Sequence, residues 1–234
     1  MTDEQMFFMG ATYQVVTYFV RLMQLVGFIL AVFIAKKENN KPIKGLALFL
    51  GSEFILWLIN QILLYDAPQE GVTEYMYYNT FTAIVRVLVL NYLFSFALNL
   101  PKNTKKVLTI FALFTVFLNI VDSIIRGNET ILEYVIYSQY LNDLFIIIVS
   151  LTYIVHSLNS EGLRKMKYVP ISILFFSYFS IHLIYTSSTN FILNQAFKND
   201  LVLIVMLSQI IFDFVFNCLL FIFITNKFLK NAKN

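Results

Sequence analysis

Apolar residues dominate the chain in seven long runs, over roughly 11–35, 43–64, 77–100, 107–125, 131–156, 168–187 and 201–226. A helix needs about 20 such residues to cross a bilayer core. None of the runs shows the short apolar/polar alternation of a membrane strand. The pattern predicts an all-α fold, with 1–234 as a single seven-helix bundle that crosses a cell membrane repeatedly. Pro42, Pro68, Pro101 and Pro170 fall at or near run ends, and Gly27 and Gly51 are the glycines well inside a run. The helices are therefore expected to be continuous rods packed through large side chains.

Polar positions interrupt the runs in a regular way. In the last run Gln209, Asp213 and Asn217 recur every four residues, so they share one helical face. Arg21, Glu53, Arg86 and Asp143 fall near the middle of their own runs, as Asp213 does. A charge at that depth costs about 2.5–3.5 kcal/mol on insertion scales, so such residues face the bundle interior and pair. Thr17 and Gln24 share the face of Arg21. Trp57, Asn60 and Gln61 share that of Glu53, and Asn79 and Thr82 that of Arg86. Asn119 and Asp122 lie a turn apart in the fourth run, Gln139 and Asn142 lie beside Asp143, and His182 sits in the outer third of the sixth run. Asp213 is expected near Arg86, with Arg21 and Asp143 on facing helices at one depth, around a cavity that opens outward. Arg21, Glu53, Arg86, Asp143, His182, Gln209, Asp213 and Asn217 are the candidates for binding a ligand or relaying a proton. The plainer alternative is a set of salt bridges that only fixes helix register.

Charge then orients the bundle. The first ten residues carry Asp3 and Glu4, and the second connection carries Asp66, Glu70 and Glu74. The first, third and fifth connections carry Lys36, Lys37, Lys41 and Lys44; Lys102, Lys105 and Lys106; and Arg164, Lys165 and Lys167. The tail adds Lys227, Lys230 and Lys233. Bases gather on alternate connections, which puts the N-terminus outside and the C-terminus inside. Tyr65, Tyr75, Tyr77, Tyr78, Tyr134, Tyr137 and Tyr185 collect toward the outer face, as in an interfacial aromatic belt or a ligand-facing rim. Asn128-Glu129-Thr130 is an outer glycosylation sequon.

Composition narrows the chemistry. The chain is 59% hydrophobic and only 13% charged, against about 25% charged for a soluble domain. Its one cysteine, Cys218, permits no internal disulfide. His156 and His182 fall at opposite ends of the membrane and share no metal. HExxH, GxSxG and P-loop motifs are missing, so no enzyme activity is expected. No cleaved signal peptide is expected either.

With seven crossings, an outside N-terminus, an arginine midway through the third helix (Arg86) and an aspartate midway through the seventh (Asp213), the chain resembles a microbial rhodopsin. In that family a retinal-binding lysine follows the aspartate by four positions, where this chain has Asn217, and the counter-ion position three after the arginine is Val89. The resemblance implies the bundle but neither retinal nor light-driven pumping, and a retinal Schiff base is not expected. The three-plus-one-plus-three layout is also similar to that of small sugar carriers, with Asn91 and Asp213 corresponding between halves. Together these features favour a seven-helix membrane receptor or sensor. It would take a small ligand, ion or proton from the outer side and signal through a separate membrane or cytoplasmic partner, with a homo-oligomer left open and no role for nucleic acid. A small-solute or proton-coupled transporter is the second expectation, and a structural subunit of a membrane complex the third.

Overall fold

A helix keeps its backbone hydrogen bonds within one segment, which suits long apolar sequence to a medium without water. A computed structural model describes residues 3–65, 72–126, 137–159, 167–194 and 199–232. They form α1 (Asp3–Glu38), α2 (Lys41–Tyr65), α3 (Val72–Asn91, continued by a π-helical stretch Tyr92–Ala97), α4 (Lys102–Arg126), α5 (Tyr137–Leu158), α6 (Val169–Asn194) and α7 (Asn199–Ala232). Seven helices are thus long and apolar enough to cross a membrane. The acidic second connection, the sequon and most of the predicted aromatic belt lie outside the residues whose side chains are described.

Side-chain contacts give the order of packing. Gly27 meets Leu50, Glu53 meets Arg86, Asn119 meets Asn142, Asp143 meets His182 and Tyr178 meets Asp213. Residue numbers rise on one helix as they fall on the next, so successive helices run antiparallel. Gln24 meets Asn217, Met23 meets Cys218 and Phe19 meets Phe214, so α1 and α7 run parallel and close the ring. The interior is filled by wholly buried rings, among them Phe94, Phe145, Phe175 and Phe179. Every helix also exposes large apolar side chains, such as Leu22, Ile55, Phe81, Phe117, Leu151, Ile184 and Ile222. That surface suits hydrocarbon rather than water.

Local chemistry explains the turns. Asn39 ends α1 with φ 49°, the left-handed conformation that asparagine tolerates better than most residues. Asn40 caps α2, its Oδ1 accepting from Ile43 N at 3.3 Å. The helix α3 stays continuous, as expected, but widens into π geometry at its end. Backbone bonds reach five residues back there, from Leu98 N to Leu93 O (3.0 Å) and from Leu100 N to Ser95 O (3.2 Å). Two features accompany the widened turn. Ser95 Oγ donates to Asn91 Oδ1 at 2.9 Å, and Gly45 of α2 presses on Leu93. A Cβ on Gly45 would lie 2.7 Å from Leu93 Cδ1 and 3.3 Å from its Cα, so a larger residue would require the Leu93 side chain to turn and its backbone to give slightly.

Candidate functional site

An arginine and a carboxylate at one depth on neighbouring helices will pair, since either alone in a low-dielectric interior is costly. Arg86 of α3 does so with Glu53 of α2, Nε to Oε1 at 2.7 Å and Nη2 to Oε2 at 2.8 Å. This is the two-pronged geometry for which guanidinium is shaped. The partner is Glu53, not Asp213. The Arg86 side chain keeps 27% exposure and Glu53 only 9%, because a cavity of about 60 Å³ opens beside the pair.

Arg21, Gln24, Glu53, Arg86, Asp213 and Asn217 all line that cavity. The amides are aligned by a one-way chain of donors. Arg21 Nη1 donates to Gln24 Oε1 (2.8 Å), Gln24 Nε2 to Asn217 Oδ1 (3.0 Å), and Asn217 Nδ2 to the Asp213 carbonyl one turn back (2.7 Å). A guanidinium can only donate, so Gln24 must turn its oxygen toward it. Tyr178 of α6 donates its hydroxyl to Asp213 Oδ1 at 2.5 Å, a charge-assisted length.

The remaining candidates form a second group, one turn along α6. His182 Nδ1 lies 2.7 Å from Asp143 Oδ2, and the Gln209 amide nitrogen lies 3.4 Å from His182 Nε2. One ring nitrogen thus faces a carboxylate and the other a side-chain amide. Asp143 is therefore met by an imidazole and not by a guanidinium. Tyr178 and His182 join the two groups, with ring centres 5.9 Å apart. Behind Asp143, Asn119 and Asn142 exchange amide hydrogen bonds at 2.8 and 3.2 Å between α4 and α5.

Aromatic rings form the cavity floor. Phe49 and Phe216 line it, and Phe175 packs on both with centres 5.1 and 5.3 Å away. Tyr178 stacks on Phe216 at 4.2 Å. Past this layer, at the end that carries the α1–α2 turn, lies a cluster that sequence reasoning missed. Lys227 is buried, with Nζ 3.1 Å from the Tyr168 hydroxyl, 3.8 Å from Glu38 Oε2 and 5.2 Å from the Tyr168 ring centre. Tyr168 in turn donates to Asn40 Oδ1 at 3.0 Å, and burial holds its hydroxyl above the usual tyrosine range, so it remains a donor. The missed signal was periodicity. Asp213, Asn217, Leu220, Ile224 and Lys227 recur every three or four residues, and the last four are buried. Tyr178 was missed as well, although it stands one turn before His182 on the same face.

Among the described residues no group of three or more metal-ligating side chains is gathered. No known family, curated protein or solved structure matches this chain.

Proposed function

We propose that the chain is a seven-helix receptor or sensor of a cell membrane, with its N-terminus outside. A small ligand, ion or proton enters the cavity from the outer side, and a separate membrane or cytoplasmic partner reads the result. The observation that carries this reading is a cavity walled by Arg21, Glu53, Arg86 and Asp213 and floored by Phe49 and Phe216. Intramembrane ionisable groups mark functional sites by default, and these ones border space.

The layout supports transmission. Each of α1, α6 and α7 contributes to the cavity (Arg21, Tyr178, Asp213), and α1, the residue just before α6, and α7 contribute to the far cluster (Glu38, Tyr168, Lys227). A solute that shifts any of these helices therefore acts on both ends. A proton-coupled transporter is the second reading, favoured by the titratable series Asp213–Tyr178 and His182–Asp143.

The test is hydrogen exchange on protein reconstituted in nanodiscs, run with a panel of small ions and polar solutes, beside flux measurements in proteoliposomes. The receptor reading expects a solute that protects the cavity to alter exchange at the α1–α2 turn without net flux. Accumulation of that solute would favour the carrier. A cavity indifferent to every solute would leave a structural subunit. Orientation is tested separately: a tag before Asp3 should be accessible from outside and a reporter after Lys233 should be cytoplasmic.

A further inference from the structure

Within the receptor reading, the cavity wall narrows the class of ligand. Arg86 directs two of its nitrogens at Glu53. Arg21 is differently placed. It donates to Gln24, its guanidinium stands 5.9 Å from the Trp57 ring centre, and its Nε is buried with no hydrogen-bond partner. It forms no ion pair with another described residue. The side chain is only partly buried and lines the cavity, so the N–H donors of its terminal nitrogens that Gln24 does not take are open to an acceptor there.

Size and charge then select the acceptor. A volume of about 60 Å³ holds roughly two to four waters, hence an anion of about one to four heavy atoms. The ionised lining sums to zero, because Arg86 offsets Glu53 and Arg21 offsets Asp213. Adding a monovalent anion alone would leave one uncompensated negative charge in a site where charges are poorly screened. One proton from solution, bonding to a wall carboxylate, removes that excess.

The groups around Asp213 show where this proton goes. Arg21 faces it from α1, Tyr178 and His182 from α6, and Glu53 and Arg86 across the cavity, while Asp143 of α5 acts through His182. Glu53 has both oxygens on Arg86, and Asp143, with one oxygen on His182, does not line the cavity. Asp213 has one oxygen on Tyr178 and makes no ion pair with another described residue. We propose that the cavity binds one small monovalent anion, of chloride to acetate size, against Arg21, together with one proton on the Asp213 carboxylate.

Trp57 is the only tryptophan of the chain and lies beside Arg21, so its emission reports on the site. Purified protein is titrated with sodium chloride, sodium formate, glycine and methylammonium gluconate, with sodium gluconate at matched ionic strength as the oversized control. The expected result is a saturable change with chloride and formate and none with gluconate. One coupled proton makes the half-saturating concentration fall by up to about tenfold per pH unit of acidification. Arg21→Gln should raise that concentration about tenfold or more. Asp213→Asn should abolish its pH dependence, whereas His182→Gln should preserve it. A response to glycine or methylammonium with none to the anions overturns the anion assignment and leaves the receptor reading standing. A wild-type cavity that responds to nothing overturns both. An unchanged anion response in Arg21→Gln, or a pH slope that survives in Asp213→Asn and vanishes in His182→Gln, overturns the assigned roles.

Discussion

Asp213 and Lys227 sit on one stripe of α7, 14 residues or about 21 Å apart at 1.5 Å per residue, and both belong to polar clusters within the bundle. The ammonium of Lys227 is met by a hydroxyl, a carboxylate and a ring face. The guanidinium of Arg21 is met by one amide and the Trp57 ring, with no carboxylate, beside open volume. Both clusters carry buried charge, so burial does not distinguish them. Unmet bonding capacity next to space does. A saturated cluster holds helices together, and an unsaturated one has something left to bind. The Arg86–Glu53 pair stands between these cases, neutralising itself yet forming part of the cavity wall.

The largest effect should come from breaking that pair. Arg86→Leu or Glu53→Leu alone leaves an uncompensated charge and should cost about 3–5 kcal/mol of stability, read as a fall in thermal midpoint or yield in detergent. Replacing both residues with leucine should recover most of the loss, because two apolar side chains need no partner. If the double variant stays as unstable as the singles, the pair is doing more than neutralising itself. The cavity wall would then depend on its hydrogen bonds.

Lys227→Met should cost less, about 1–3 kcal/mol, the range for leaving partners of a hydrogen-bonded group unsatisfied. Glu38 keeps its bond from Asn40 Nδ2 at 2.9 Å, and Tyr168 keeps its acceptor on Asn40. The variant should bind small solutes in the cavity as the wild type does, while the exchange response at the α1–α2 turn disappears. Loss of solute binding together with stability would show that the two clusters are one structural unit and would erase the distinction between them.

Much of this architecture was legible in the sequence, for a plain reason. Hydrocarbon tolerates few charges, so each one inside a run carries information. Arg21, Glu53, Arg86, Asp213 and Asn217 could be gathered by depth and face alone, and the structure brings them round one cavity. Depth does not choose partners, however. Whether Arg86 meets Glu53 or Asp213 depends on which helices are neighbours, and the alternation of runs leaves that open. Tyr178 reads as one more aromatic among many, because its hydroxyl matters only once α6 lies against α7. Lys227 reads from sequence as one base of the tail, although it continues the buried stripe of α7. The π-helical stretch left no sign in proline or glycine content. It arises where Asn91, Ser95 and the close approach of Gly45 combine, and that is a tertiary condition.

The smallest effect on stability should come from Tyr178→Phe, and it tests the comparison most finely. The substitution keeps the ring that stacks on Phe216 at 4.2 Å and meets Phe179 edge-on at 5.0 Å, and it removes only the hydroxyl that donates to Asp213. Hydrogen bonds between membrane helices contribute about 0.6 kcal/mol on average and up to about 1.7 kcal/mol, so a small fall in thermal midpoint is expected. The effect on solute response should be the larger one. Asp213 loses its sole direct side-chain donor among the described residues, so the carboxylate should take up a proton more readily. The anion response should then extend to higher pH than in the wild type. If Tyr178→Phe costs as much stability as Arg86→Leu and leaves the pH range of the response unmoved, Asp213 is a structural anchor like Lys227. The cavity would then be a packing gap beside a saturated cluster. A mild loss of stability with a shifted pH range places Asp213 with Arg21, among groups whose bonding is left open for a ligand.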